Sequence, residues 1–179
     1  KDNKKAGHFF LRGSIYYGMD SLQKAILDFK KTLILDSTFV DCYSSIAIIG
    51  MNINENLDSL ISICRKGLQL FPNNHDLNVN LAWLYIEKQD FISAISLILK
   101  TNLINEEYDM DVSIALSICY FKLNNLDAAK SVMKNHLEKK PFLNDGAKGL
   151  KKLIENEGYF YTKHQMELYD FMIKTLYKQ

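Results

Sequence analysis

LAWLYI, Leu81 to Ile86, sets six apolar residues in a row within LNVNLAWLYIEKQDFISAISLILK, Leu77 to Lys100. The polar group at Lys88–Asp90 divides that stretch into two helical patterns. In the second, Ala94 and Ile98 mark one face at a spacing of four, as a helix requires. A helix at a protein surface normally carries one apolar stripe. The first pattern is apolar nearly all round, so its extra face needs a reason.

The rest of the chain supplies neighbours for that helix. A small residue following an apolar one recurs at Gly13, Ala47, Ala82 and Ser117, at steps of 34, 35 and 35. A second register, Ala25, Leu60, Ala94 and Ala129, recurs at 35, 34 and 35. Two registers in phase mark stacked copies of one supersecondary unit. Each unit holds two helical patterns separated by polar punctuation: GMD, NINEN, EKQD and KLNN. Asp20 followed by Gln23, and Asp90 ahead of FISA, read as helix N-caps. Pro72 and Pro141 stand where the second helices of the second and fourth units must stop.

The first unit reads Phe9, Arg12, Gly13, Tyr16, Ala25, Phe29. The second reads Tyr43, Ile46, Ala47, Gly50, Leu60, Cys64, Pro72, with one extra residue in its inter-helix turn. The third reads Asn78, Leu81, Ala82, Tyr85, Ala94, Ile98, and the fourth Ser113, Leu116, Ser117, Tyr120, Ala129, Met133, Pro141. This pattern resembles the tetratricopeptide-repeat (TPR) family, whose signature is W-x2-L-G-x2-Y, then A-x3-F, then P. The second unit lacks the Tyr, and the first has Arg12 where Leu is usual. The resemblance implies an all-α, right-handed superhelical solenoid of antiparallel helix pairs. About four units are expected, near 6–39, 40–74, 75–108 and 110–143, followed by a capping helix pair over 144–179, as a single domain. The cap carries TKHQ, Thr162 to Gln165, which has the form of a capping box.

In such a stack one stripe of each first helix packs on its own partner and the next unit. A second stripe, at i, i+4 and i+7, points to the inner wall. It reads Phe10, Ser14, Tyr17; Ser44, Ile48, Met51; Val79, Trp83, Ile86; and Ile114, Ile118, Phe121. Ten of the twelve are apolar or aromatic and none is charged, so the expected wall is an oily groove for a hydrophobic or amphipathic segment of a partner protein. Trp83 is the candidate anchor. The family's wall holds partner peptides, and one subgroup clamps a terminal carboxylate with Lys, Arg and Asn, which this wall lacks. The resemblance therefore points to an adaptor or a chaperone-like module. Two alternatives stand beside it. The C-terminal helix, with Tyr159, Phe160, Tyr161, Tyr169, Phe171 and Tyr177, could plug the groove or form a homodimer, giving a self-assembling scaffold; or the stripe is plain core.

Asp41, Asp76 and Asp111 repeat at 35 and 35 near the starts of first helices. They read as carboxylates favoured at helix N-termini, or as an acidic rim for a basic partner. The net charge of +1 gives no electrostatic ground for nucleic acid, and argues against a pentatricopeptide-like RNA reader with a basic groove. Cys42, Cys64 and Cys119 form no CxxC pair, and His8, His75, His136 and His164 form no HxxxH pair, so neither a disulfide framework nor a metal site is expected. No nucleotide, hydrolase or metalloprotease motif is present, and the chain is read as non-enzymatic, without cofactor. No apolar run reaches the length of a membrane span, and KDNKKAGHFF does not have the layout of a signal peptide, so a cytoplasmic location is expected.

Overall fold

A computed structural model describes residues 3–100, 110–157 and 161–177. Among these residues the chain is helical throughout, with no strand. Four helix pairs come first: α1 (Asn3–Gly18) with α2 (Leu22–Leu35), α3 (Val40–Asn52) with α4 (Leu57–Leu70), α5 (His75–Glu87) with α6 (Phe91–Lys100), and α7 (Met110–Lys122) with α8 (Leu126–Lys139). A 3₁₀ turn over Pro141–Asp145 leads into α9 (Ala147–Glu157) and α10 (Lys163–Tyr177). The contacts divide the chain into two compact units, 1–84 and 85–179.

Each pair is joined by the same local device. Asp20, Asn54, Gln89 and Asn124 take positive φ, at 55°, 56°, 61° and 59°. The next residue donates its N–H back five positions: Ser21 to Tyr16, Glu55 to Gly50, Asp90 to Tyr85 and Asn125 to Tyr120, at 2.8 to 2.9 Å. The left-handed residue itself donates to the carbonyl three back, completing a Schellman closure in every pair. The second turn, Ile53–Asn56, is one residue longer than the others, as the sequence register requires. Asp20 is therefore not the expected N-cap. Ser21 holds that position, without a side-chain cap bond, because Asp20 is needed to reverse the chain. Asp90 does cap, its Oδ1 accepting from Ser93 N at 3.1 Å. Asn56, Asn74 and Asn125 accept likewise from Ser59, Leu77 and Ala128. Left-handed backbone is costly for a residue with a long side chain and cheap for Gly. Gln89→Gly is therefore expected to raise stability by roughly 0.5–1 kcal/mol in urea melts, with smaller gains at Asn54 and Asn124.

In the first unit α1 packs on α2, α2 on α3, and α3 on α4. Ala25, Phe29, Tyr43, Ile46, Ala47, Leu60 and Cys64, all signature positions, are buried. Arg12, the departure from the usual Leu, is explained by its partner. Its Nε and Nη2 donate to the two carboxylate oxygens of Asp28 at 2.6 and 2.8 Å. Asp28 is buried, while Arg12 lies half open over the rings of Phe9 and Tyr16. The Arg12 hydrogen bonds hold the Asp28 carboxyl below its ordinary pKa, against the opposing effect of burial. A depressed folded-state pKa stabilises above the unfolded value and is lost as pH falls through the folded one. The wild type is therefore expected to lose this contribution on acidification below about pH 4. Arg12→Leu leaves a carboxylate buried without its counter-charge, so it should lower the melting temperature near neutral pH and reverse that pH slope. Arg12→Leu/Asp28→Leu should recover the loss. A thermal-melt pH series on the three proteins checks both points.

In the second unit α6 packs on α7 and α7 on α8, and α10 packs on α7, α9 and the 3₁₀ turn. The expected capping box is present: Gln165 Oε1 accepts from Thr162 N at 2.8 Å, and Thr162 Oγ1 accepts from Gln165 N at 3.2 Å. Tyr169, Met172, Ile173 and Leu176 of α10 are buried, and Tyr169 donates its hydroxyl to Leu143 O at 3.1 Å. Gly149 has no room for a side chain, since a Cβ there would run into the Phe142 carbonyl. Tyr159 and Phe160 lie outside the described residues.

Candidate functional site

The ten apolar wall residues do not form one open lining. Met51, Val79, Trp83, Ile86, Ile114 and Ile118 are buried, Trp83 being only 3% exposed. These six are core, which corrects the expectation of an accessible groove there and of Trp83 as an exposed anchor. α7 shows why the pattern misleads. It is flanked by α6, α8 and α10, so a helix inside the array has neighbours on more sides than a two-stripe reading allows. Nearly every α7 residue from Met110 to Cys119 is buried.

Phe10, Ile48 and Phe121 are partly exposed and Tyr17 is 42% exposed. In the first unit Phe10 sets its ring against Phe29 and Phe39, with centroids at 6.0 and 5.4 Å. That contact fixes the ring while leaving an edge in solvent. Ser14 is exposed and Ser44 half-buried. Phe10, Tyr17 and Ile48 are thus the wall positions of the first unit that keep apolar surface in solvent. Phe39 belongs with them, though it lies outside the repeat signature and periodicity does not reveal it.

In the second unit α10 packs on α7. Phe171 of α10 meets Phe121 edge-on at 5.7 Å, and Ser117 Oγ lies 3.2 Å from Met172 Sδ. The start of α10 is tied to the end of α5: His164 Nδ1 lies 2.5 Å from Glu87 Oε2, and Thr162 Oγ1 donates to Glu87 Oε1 at 3.2 Å. α10 thus lies against α7, meeting the wall position Phe121.

Asp41, Asp76 and Asp111 sit in the first turns of α3, α5 and α7. A carboxylate there is favoured by the helix dipole. Burial pushes the thiols of Cys42, Cys64 and Cys119 up to about 12, so all three are un-ionised near neutral pH and poor nucleophiles. Ser113 Oγ and His136 Nε2 lie 2.9 Å apart, a nucleophile–base distance. Ser113 is fully buried, however, so no substrate reaches it. Among the described residues no group of three or more His, Cys, Asp or Glu could hold a metal ion, and no helix is long and apolar enough to cross a membrane. A cleft of about 520 Å³ between α8 and the end of α10 sets Lys130 and Lys134 beside Asp127 and Glu138, so its charges offset one another.

Solved structures share this arrangement. MamA superposes at a TM-score of 0.69 with 16% identity, covering 98% of this chain and 97% of that one. The chain has the tetratricopeptide-repeat fold. YrrB, described as a TPR protein with an unusual peptide-binding site, matches at 0.64 and 17% identity over 94% of this chain and 84% of its own. TTC0263, a thermophilic TPR protein in Thermus thermophilus, matches at 0.62 and 13% identity over 78% and 76%. No protein-family model matches the sequence. No curated protein matches it either. The likeness is thus one of TPR architecture, carried by the repeat register at low identity.

Proposed function

We propose that this chain is a non-enzymatic protein-interaction module that holds an apolar or amphipathic segment of a partner protein, acting as an adaptor or a chaperone-like shield. The observation that carries the reading is the set Phe10, Tyr17 and Ile48, which keeps apolar surface in solvent on a helical-repeat scaffold. Peptide binding described for YrrB, a protein of the same fold, agrees with it. The contact area is smaller than the sequence pattern suggests and lies in the first unit. In the second unit α10 occupies α7, which favours self-coverage there over partner binding.

Photo-crosslinking tests this. A photoreactive residue at position 17 or 48 should capture a Leu- and Phe-rich peptide, whereas one at the buried position 118 should not. Tyr17→Ala and Ile48→Ala should each weaken binding by about 1 kcal/mol or more with helicity unchanged. Unchanged affinity in both folded variants would remove this site from consideration.

A further inference from the structure

The opposite side of α1 carries an apolar stripe that the proposed peptide site does not use. Leu11, Ile15 and Met19, spaced i, i+4 and i+8, are 61%, 60% and 68% exposed. They point away from α2, against which Gly13 is packed so closely that its Cβ would lie 3.0 Å from Phe29. The repeat register shows what such a face is shaped to receive. Ile15 corresponds to Ile49, Leu84 and Cys119 in the later repeats, and all three are fully buried. Leu11 corresponds to Ser45, Asn80 and Ala115, of which Asn80 and Ala115 are buried. In the later pairs a helix lies on the first helix from the preceding pair: α2 packs on α3, and α6 on α7. Leu11 and Ile15 thus stand at positions that the later repeats largely bury, with their own side chains left in solvent, while Met19 matches Ile53, Lys88 and Leu123, which stay at least partly exposed.

Charge narrows the occupant. α1 contains no Asp or Glu, and Lys4, Lys5 and His8 run along the start of the stripe, all exposed. Two copies of α1 paired in parallel would set these bases against each other, which disfavours that dimer. We propose that the outer face of α1 docks an amphipathic helix of a partner protein whose apolar stripe is bordered by Asp and Glu. The mode is helix-on-helix packing at i, i+4 anchors, with the bases steering acidic flanks.

The probe is a labelled helix-forming peptide with Leu at i, i+4, i+7 and i+11 and Glu on both flanks, compared by anisotropy with a twin carrying Lys in place of Glu. The acidic peptide should bind about tenfold more tightly, a difference near 1.4 kcal/mol. Ile15→Ser should weaken it about tenfold, whereas Ile34→Ser, at an exposed α2 position, should not. Lys4→Glu/Lys5→Glu should erase the preference between the peptides. Both side chains are exposed, and circular dichroism on the variant checks that its fold is kept. Tyr17→Ala should leave this binding unchanged, which separates it from failure of the peptide site proposed above. Equal binding of the two peptides, or indifference to Ile15→Ser, overturns the proposal. So does a dimer in sedimentation that Ile15→Ser abolishes, since the occupant is then a second copy.

Discussion

Trp83→Ala is expected to cost about 3–5 kcal/mol of folding stability, a large share of what a domain of this kind has. Trp83 lies in α5 between Ala82 and Leu84, and all three are buried, as are Val79, Leu81 and Ile86. Removing the indole leaves a cavity that a close-packed interior closes only in part. Trp83 is the sole tryptophan, so its fluorescence reports on itself. The native emission should be blue-shifted and poorly quenched by iodide, and the urea midpoint of the variant should fall sharply. A solvent-like emission maximum together with an unchanged midpoint would restore Trp83 to the surface and contradict the burial described above.

The second large effect concerns the repeat that lacks its Tyr. Tyr16 with Ala25, Tyr85 with Ala94 and Tyr120 with Ala129 pair a large residue on the first helix with a small one on the second. The second repeat inverts the pair: Gly50 faces Leu60. A Cβ on Gly50 would collide with the Leu60 side chain and sit 2.8 Å from its Cδ1. Leu60 is fully buried, with its side chain against Gly50, the register position that holds Tyr in the other repeats. Leu60→Ala should therefore cost about 3 kcal/mol by opening that space. Gly50→Ala alone should cost about 1–3 kcal/mol by overpacking, despite the helix propensity that Ala brings. In the Leu60→Ala background Gly50→Ala should instead stabilise, since the clash is gone and both the propensity and the cavity favour it. A double-mutant cycle with chemical melts reads this as a coupling above about 1 kcal/mol. Additive effects would mean that the two residues do not share the space.

Both the Gly50–Leu60 inversion and the Arg12–Asp28 pair arise where the sequence departs from a plain repeat. Arg12 reads as an isolated exception, yet Asp28, sixteen positions on, is its structural complement. Gly50 reads as a lost Tyr, yet Leu60 makes up the volume. Each compensation joins two helices, so neither partner is recognisable from its own local pattern. The Schellman turns lie between these cases. The polar punctuation is legible, but the left-handed residue in each turn is Asp, Asn, Gln or Asn rather than the Gly that would have announced it.

The order of the chain alone determined the helix pairs, their period, the long second turn, the caps at Asp90 and Thr162 and the TPR architecture. These depend on contacts within a few turns of chain, where spacing maps directly onto faces. Spacing also found the second apolar stripe of the first helices, but not its exposure. Whether Val79, Trp83, Ile86, Ile114 and Ile118 meet solvent depends on which other helices lie against α5 and α7, and the period of a helix is the same whether its greasy face is open or enclosed. Only the tertiary structure therefore distinguished core from candidate site. It left Phe10, Tyr17 and Ile48 with apolar surface in solvent, and on α1 also Leu11, Ile15 and Met19, because a face of α1 not packed on another helix stays in water.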